Sequence, residues 1–286
     1  MRFALTFLDE VDPSLGRVDH ESLPQQVLME MVIEGIGNKE NICGKVDQST
    51  DIEEWKGVTI KEGKVVAISW GRRYLEASLH LEWLPSSVME FTAIRNHLTG
   101  TLDLTSLPIS MEILALASNA FTGSICLERL PERMKHFYVS ENMFCGSLKL
   151  QSLPDMLIDF HASNNQFSGS VNLTQLPAAL IYLYLQKNRL SGSVVLTQLP
   201  DSLEGLYLSN NQFSGGLDLT RLPPHMSVLE LDNNSFSGTV DLSQLPQGLE
   251  QLYLSDNELS GEVFISDYLF DVVYVENTKV IKRHME

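Results

Sequence analysis

Residues 203–223 read LEGLYLSNNQFSGGLDLTRLP, and the same pattern returns every 23 residues along most of the chain. Leu-Pro pairs begin at Leu84, Leu107, Leu130, Leu153, Leu176, Leu199, Leu222 and Leu245. An asparagine keeps the same step through Asn96, Asn119, Asn142, Asn165, Asn188, Asn211, Asn234 and Asn257, with a glycine four residues after each, from Gly100 to Gly261. Eight copies without insertion or deletion mean a solenoid, in which one coil stacks on the next.

The residue types explain the coil. Leu203, Leu206 and Leu208 should face the core, with the L-x-L pair in a short strand of alternating faces. Copies stacked side by side then form a parallel sheet with crossovers of one hand. Phe213 shares its column with Leu98, Phe121, Phe144, Phe167, Leu190, Phe236 and Leu259, a spine through the core. The glycine column is expected to take positive φ. Leu217 and Leu219 give a second alternating pair on the far side, and Pro223 stops any helix longer than a turn. Each asparagine carries two donors and two acceptors, enough to bridge adjacent coils in a ladder.

Around the array the pattern changes. Residues 1–54 are acidic, with FALTFL as a short strand, Ser22 as a helix cap, and Val27, Leu28, Met31, Val32 and Ile36 on one helical face. Residues 55–83 hold a hairpin turning at Glu62-Gly63, with Trp55 and Trp70 in its core, and a worn first repeat in which Arg73 and Ala77 replace asparagine and glycine. The eight full repeats occupy 84–265. Residues 266–286 form a C-terminal cap that ends in a charged, frayed tail from Ile281.

Composition narrows the classes. Among 286 residues, 37 Asp+Glu against 20 Lys+Arg give a net charge of −17, which disfavours nucleic acid and anionic membranes as partners. No stretch is apolar for the length of a membrane span. The three cysteines share no repeat position and form no CxxC motif, and the N-terminus lacks a signal-like apolar run. Together these lead to the expectation of a cytoplasmic, intracellular protein, monomeric when alone.

The pattern LxxLxLxxNxFSGxLxLxxLPxx resembles that of leucine-rich-repeat proteins. Its F/L-S/T-G-x-V/L part is similar to the plant-type subclass, which implies a second strand after the glycine, and Trp55-Lys56-Gly57-Val58 looks like that subclass's N-terminal cap. Glu53 and Ile60 stand where its cap cysteines would be, and the proline has moved to LPxxL, a style closer to leucine-rich-repeat proteins of unicellular eukaryotes. The resemblance implies an α/β-type curved horseshoe, mostly β, with a parallel inner sheet, short convex turns and a helix and hairpin cap. It also implies protein binding on the concave sheet.

The residue inside L-x-L is free of packing duty. From Tyr138 it runs Tyr138, His161, Tyr184, Tyr207, Glu230 and Tyr253, continued by Tyr274, on rungs about 4.8 Å apart. Tyrosine suits a binding face because it buries a rigid ring and keeps a polar tip. No metal spacing, nucleophile motif or phosphate loop occurs, so the reading is a non-enzymatic scaffold without cofactor that grips a protein along this stripe. The alternative is a structural subunit docked into a large assembly through its acidic N-terminal segment or convex face.

Overall fold

A computed structural model describes residues 22–44 and 50–284. The expected strand at FALTFL and most of the acidic segment lie outside the described residues.

Two sheets, and not one sheet backed by turns, carry the array. The first contains eleven strands among the described residues and opens with the antiparallel pair Val58–Lys61 and Lys64–Ser69. Glu62 and Gly63 turn this hairpin with φ of 52° and 70°. Lys64–Ser69 then pairs in parallel with Glu90–Thr92, and one short strand follows per coil, centred on the first apolar residue of L-x-L. Register is kept rung by rung: Leu183 faces Leu206, and Tyr184 faces Tyr207. Leu203, Leu206 and Leu208 are fully buried.

The second sheet differs from expectation. Its strands are segments such as Gln166–Gly169 and Gln212–Gly215, which precede and include the glycine. Leu217 and Leu219 are buried but lie outside any strand, so they pack as plugs from an irregular segment. The glycine accounts for the difference. Its φ of 82° to 111° in every copy turns the chain at that point and ends most of the strands. A second positive-φ residue, just before each ladder asparagine, sits at the other corner of the coil; Lys187 and Asn210 are examples, at 57° and 56°. Its mixed side chains conceal it in the sequence.

The asparagine ladder forms as expected. Asn165 Oδ1 accepts from Phe144 N at 3.0 Å, while its Nδ2 donates to Val139 O at 2.9 Å and Ala162 O at 3.3 Å. The same three-way bridge to the preceding coil recurs at Asn188, Asn211, Asn234 and Asn257. Beside it runs the phenylalanine spine, with Phe121, Phe144 and Phe167 stacked at 6.1 and 6.4 Å and fully buried. The third corner is fixed by proline: Pro200 O accepts from Leu203 N at 3.0 Å, and the other seven Leu-Pro pairs do the same.

At the N-terminal end lies the helix Gln25–Val32, with Pro24 and not Ser22 at its cap position. It buries Leu28, Met29 and Val32; Val27 is exposed and Met31 half-buried, so the face is rotated from the one expected. The backbone that follows bonds the worn repeat through Gly37 N to Glu76 O and Ser78 N to Gly35 O. Trp55 and Trp70 are core residues, as expected, and Trp70 meets Phe91 edge-on at 5.6 Å. The tail is not frayed over its described length. Lys279–His284 adds a strand that pairs in parallel with Glu258–Ile265 through six residues, and Lys282 Nζ donates to Phe270 O and Val273 O.

Replacing Asn165 by Ala leaves the buried Phe144 amide without its acceptor, while Val139 O and Ala162 O keep Asn142 and Asn188 as donors. At about 1–3 kcal/mol for one unsatisfied buried group, the expected loss of unfolding free energy is about 1–3 kcal/mol, read from urea denaturation followed by circular dichroism.

Candidate functional site

The outward face of the first sheet holds two columns of side chains, because positions one and three of each strand share a face. The third-position column is the one read from sequence. Tyr138, His161, Tyr184, Tyr207, Glu230 and Tyr253 are all half-buried, and none turns into the core. Their rings lie close: Tyr138 to His161 at 4.6 Å, His161 to Tyr184 at 4.1 Å, and Tyr184 to Tyr207 stacked at 4.1 Å within 8° of parallel. Glu230 interrupts the series, and Tyr253 then stacks on Tyr274 at 4.6 Å.

The first-position column was overlooked, although period-two alternation from the same strand could have found it. It contributes His136, Asp159, Tyr182 and Gly205. His136 Nδ1 lies 2.7 Å from Asp159 Oδ2, and Tyr138 Oη donates to the same carboxylate oxygen at 3.3 Å. Tyr182 Oη donates to Glu204 Oε2 at 2.8 Å. Gly205 makes room: a Cβ there would come within 2.8 Å of both the Tyr182 and the Tyr207 rings. The glycine therefore lets phenol rings from two columns close over one strand.

Burial sets the electrostatics of this face. The Tyr138 hydroxyl is pushed up to about 12, first by desolvation and then by the neighbouring Asp159 charge. Tyr207 is raised by desolvation and by its hydrogen bond with Tyr184, so both phenols stay neutral donors. His161 is lowered, chiefly by desolvation. Glu230 is raised by desolvation, against a hydrogen bond that it accepts from Ser209 at 3.1 Å.

Among the described residues, no group of three or more His, Cys, Asp or Glu could hold a metal ion. Cys43 and Cys126 are half-buried and Cys145 exposed, all as free thiols. No helix is long and apolar enough to cross a membrane among these residues.

Residues 202–222 match the family model described as Leucine Rich Repeat. The fold is a leucine-rich-repeat-like solenoid. A plant ice-binding protein superposes with a TM-score of 0.59 at 18% identity, over 90% of this chain and 94% of its own. The structure of PEPR1-AtPEP1 superposes with a TM-score of 0.62 at 19% identity, over 91% of this chain, which spans 45% of that one. The LRR ectodomain of the receptor kinase SOBIR1 from Arabidopsis thaliana matches at 21% identity and a TM-score of 0.45, over 57% of this chain and 91% of its own. No curated protein matches the sequence. The cytoplasmic, intracellular expectation does not stand: the solved structures that resemble this chain include ectodomains of membrane receptor kinases, and that likeness shows a fold without placing this chain in a compartment. The physical reason is that the asparagine ladder and two sheets hold the coils together, so unpaired cysteines carry no information about the compartment.

His161 gives the face a pH dependence. Its folded pKa lies below its unfolded value near 6.5, so the unfolded chain takes up the proton first and stability falls as pH drops below that value. Between pH 7.5 and 5.5 the parent should lose melting temperature more steeply than His161→Phe, as measured by differential scanning calorimetry.

Proposed function

We propose that the protein is a non-enzymatic binding module that holds an extended peptide or protein segment along Tyr138, His161, Tyr184, Tyr207, Glu230 and Tyr253. The supporting observation is the packing of rings from four successive strands, Tyr138, His161, Tyr184 and Tyr207, at 4.1 to 4.6 Å between neighbours. Such a strip loses little conformational entropy on binding, which is the usual obstacle to a flat interface. The strip would line the inner side of a curved array that the helix and hairpin close at the N-terminal end, and one copy would engage one partner. The division at residues 54, 83 and 265 belongs to this reading, as does the likeness of the LPxxL repeat style to that of unicellular eukaryotes. Docking into a large assembly would instead use the acidic N-terminal segment, residues 1–54, or the convex face; residues 1–21 and 45–49 of that segment lie outside those described.

The test starts from peptides selected against the parent from a random display library. Tyr184→Ala with Tyr207→Ala should weaken the selected peptides at least tenfold by calorimetry, with a small change in melting temperature. Selected peptides that bind the double variant as well as the parent would remove the strip from the account.

A second reading comes from the other sheet. Thr99, Thr122, Ser168, Ser191, Ser214, Ser237 and Ser260 place a hydroxyl on seven of its eight glycine-bearing rungs, beside further small polar residues such as Ser147, Ser170 and Ser193. A hydroxyl lattice of about 4.8 Å period is suited to ordering water, and a plant ice-binding protein has a similar fold. Ice grown in its presence should then be faceted, and Ser191→Tyr together with Ser214→Tyr should restore round crystals.

A further inference from the structure

The aromatic strip changes character at Glu230. On the N-terminal side of that rung the sheet face and its rim are mixed in charge, with Lys135 paired to Glu112, Asp159 in the strand, and Lys187. From the strand Gly205–Tyr207 onward the face and its rim carry Glu204, Glu230, Asp232, Glu250, Asp256 and Glu276, with Lys282 close to Glu276 at the far end. Glu230 is half-buried, and Ser209 is its hydrogen-bond donor among the described residues. It sits between Tyr207 and Tyr253, which lie one rung to either side, roughly 10 Å apart at the normal strand spacing. The stacked pairs Tyr184–Tyr207 and Tyr253–Tyr274 close at 4.1 and 4.6 Å, so Glu230 floors the one break in the strip.

We infer that this break is a receptor for a guanidinium, so that the segment bound along the strip is a basic peptide with an arginine seated on Glu230 between the Tyr207 and Tyr253 rings. The inference rests on the binding reading above and gives it a partner chemistry. A planar cation fits a slot with aromatic walls because ring faces attract positive charge, and a half-buried carboxylate beneath it takes two parallel hydrogen bonds. The surrounding carboxylates add attraction for a basic chain without fixing its register. Lysine would satisfy the charge but not the paired donors. The carboxylate also has a reason to be there: burial penalises its charge in the free protein, and an incoming cation relieves that penalty.

The test uses a hexapeptide of alanine with one central arginine, flanked by two further basic residues, titrated calorimetrically into the full chain at low salt. Lysine and citrulline versions serve as comparisons. Binding should be tighter for arginine than for lysine by several fold and lost for citrulline. Glu230→Gln should weaken the arginine peptide about tenfold, and Tyr253→Ala several fold. Glu132→Gln, the same change of charge on an exposed turn remote from the strip, should leave it unaltered. Equal weakening by Glu230→Gln and Glu132→Gln would mean attraction to net charge alone and would overturn the inference, as would equal affinity for arginine and citrulline peptides. Library peptides that depend on Tyr184 and Tyr207 but contain no arginine would overturn it while leaving the binding reading standing.

Discussion

Everything in this molecule hangs on one repeated side-chain amide. Each ladder asparagine sits where the chain turns out of the first sheet, so backbone donors and acceptors there have no strand to pair with. A carboxamide supplies both kinds of group within one planar unit, and it spends them on its own coil and the one before. Asn142, Asn165 and Asn257 are buried while doing so, where an unpaired polar group is most costly. The bridge needs a fixed distance between neighbouring turns, and this explains why no copy of the repeat has gained or lost a residue.

Once the turn is fixed, the rest of the coil divides into constrained and free positions. The proline corner, the phenylalanine spine and the leucines of the strand are settled by packing. The two outward columns of the first sheet are not, and they hold the molecule's aromatic and charged diversity. Fold and candidate site are therefore almost separable in this architecture, as general experience of repeat folds suggests.

That separation explains what was legible. Period and residue type gave the core, the ladder, the positive-φ glycines and the hairpin turn, because each is dictated within a single coil. The third-position column was visible because L-x-L frames it. The first-position column was missed for want of a frame, although Asp159 and Tyr182 alternate with Phe160 and Leu183 in the same strands. The second sheet was placed on the wrong side of its glycine because Leu217-Asp218-Leu219 looks like a strand, whereas the chain has already turned at Gly215. The paired strand at Lys279–His284 was hidden by its charges: Lys279, Ile281 and Arg283 are exposed, and Lys282 reaches carbonyls no pattern could announce. Compartment was misjudged from cysteines that the ladder makes dispensable.

Gly205 shows how little separates one surface from another here. The absence of a single methyl group allows Tyr182 to lean toward Tyr207 across the strand, so two files of phenols become one continuous panel. Restoring that methyl would split the panel lengthwise while leaving the hydrogen-bonded frame beneath untouched. A lineage built on copying coils could thus retune what it recognises through the smallest possible change in a residue, without disturbing the architecture that displays it.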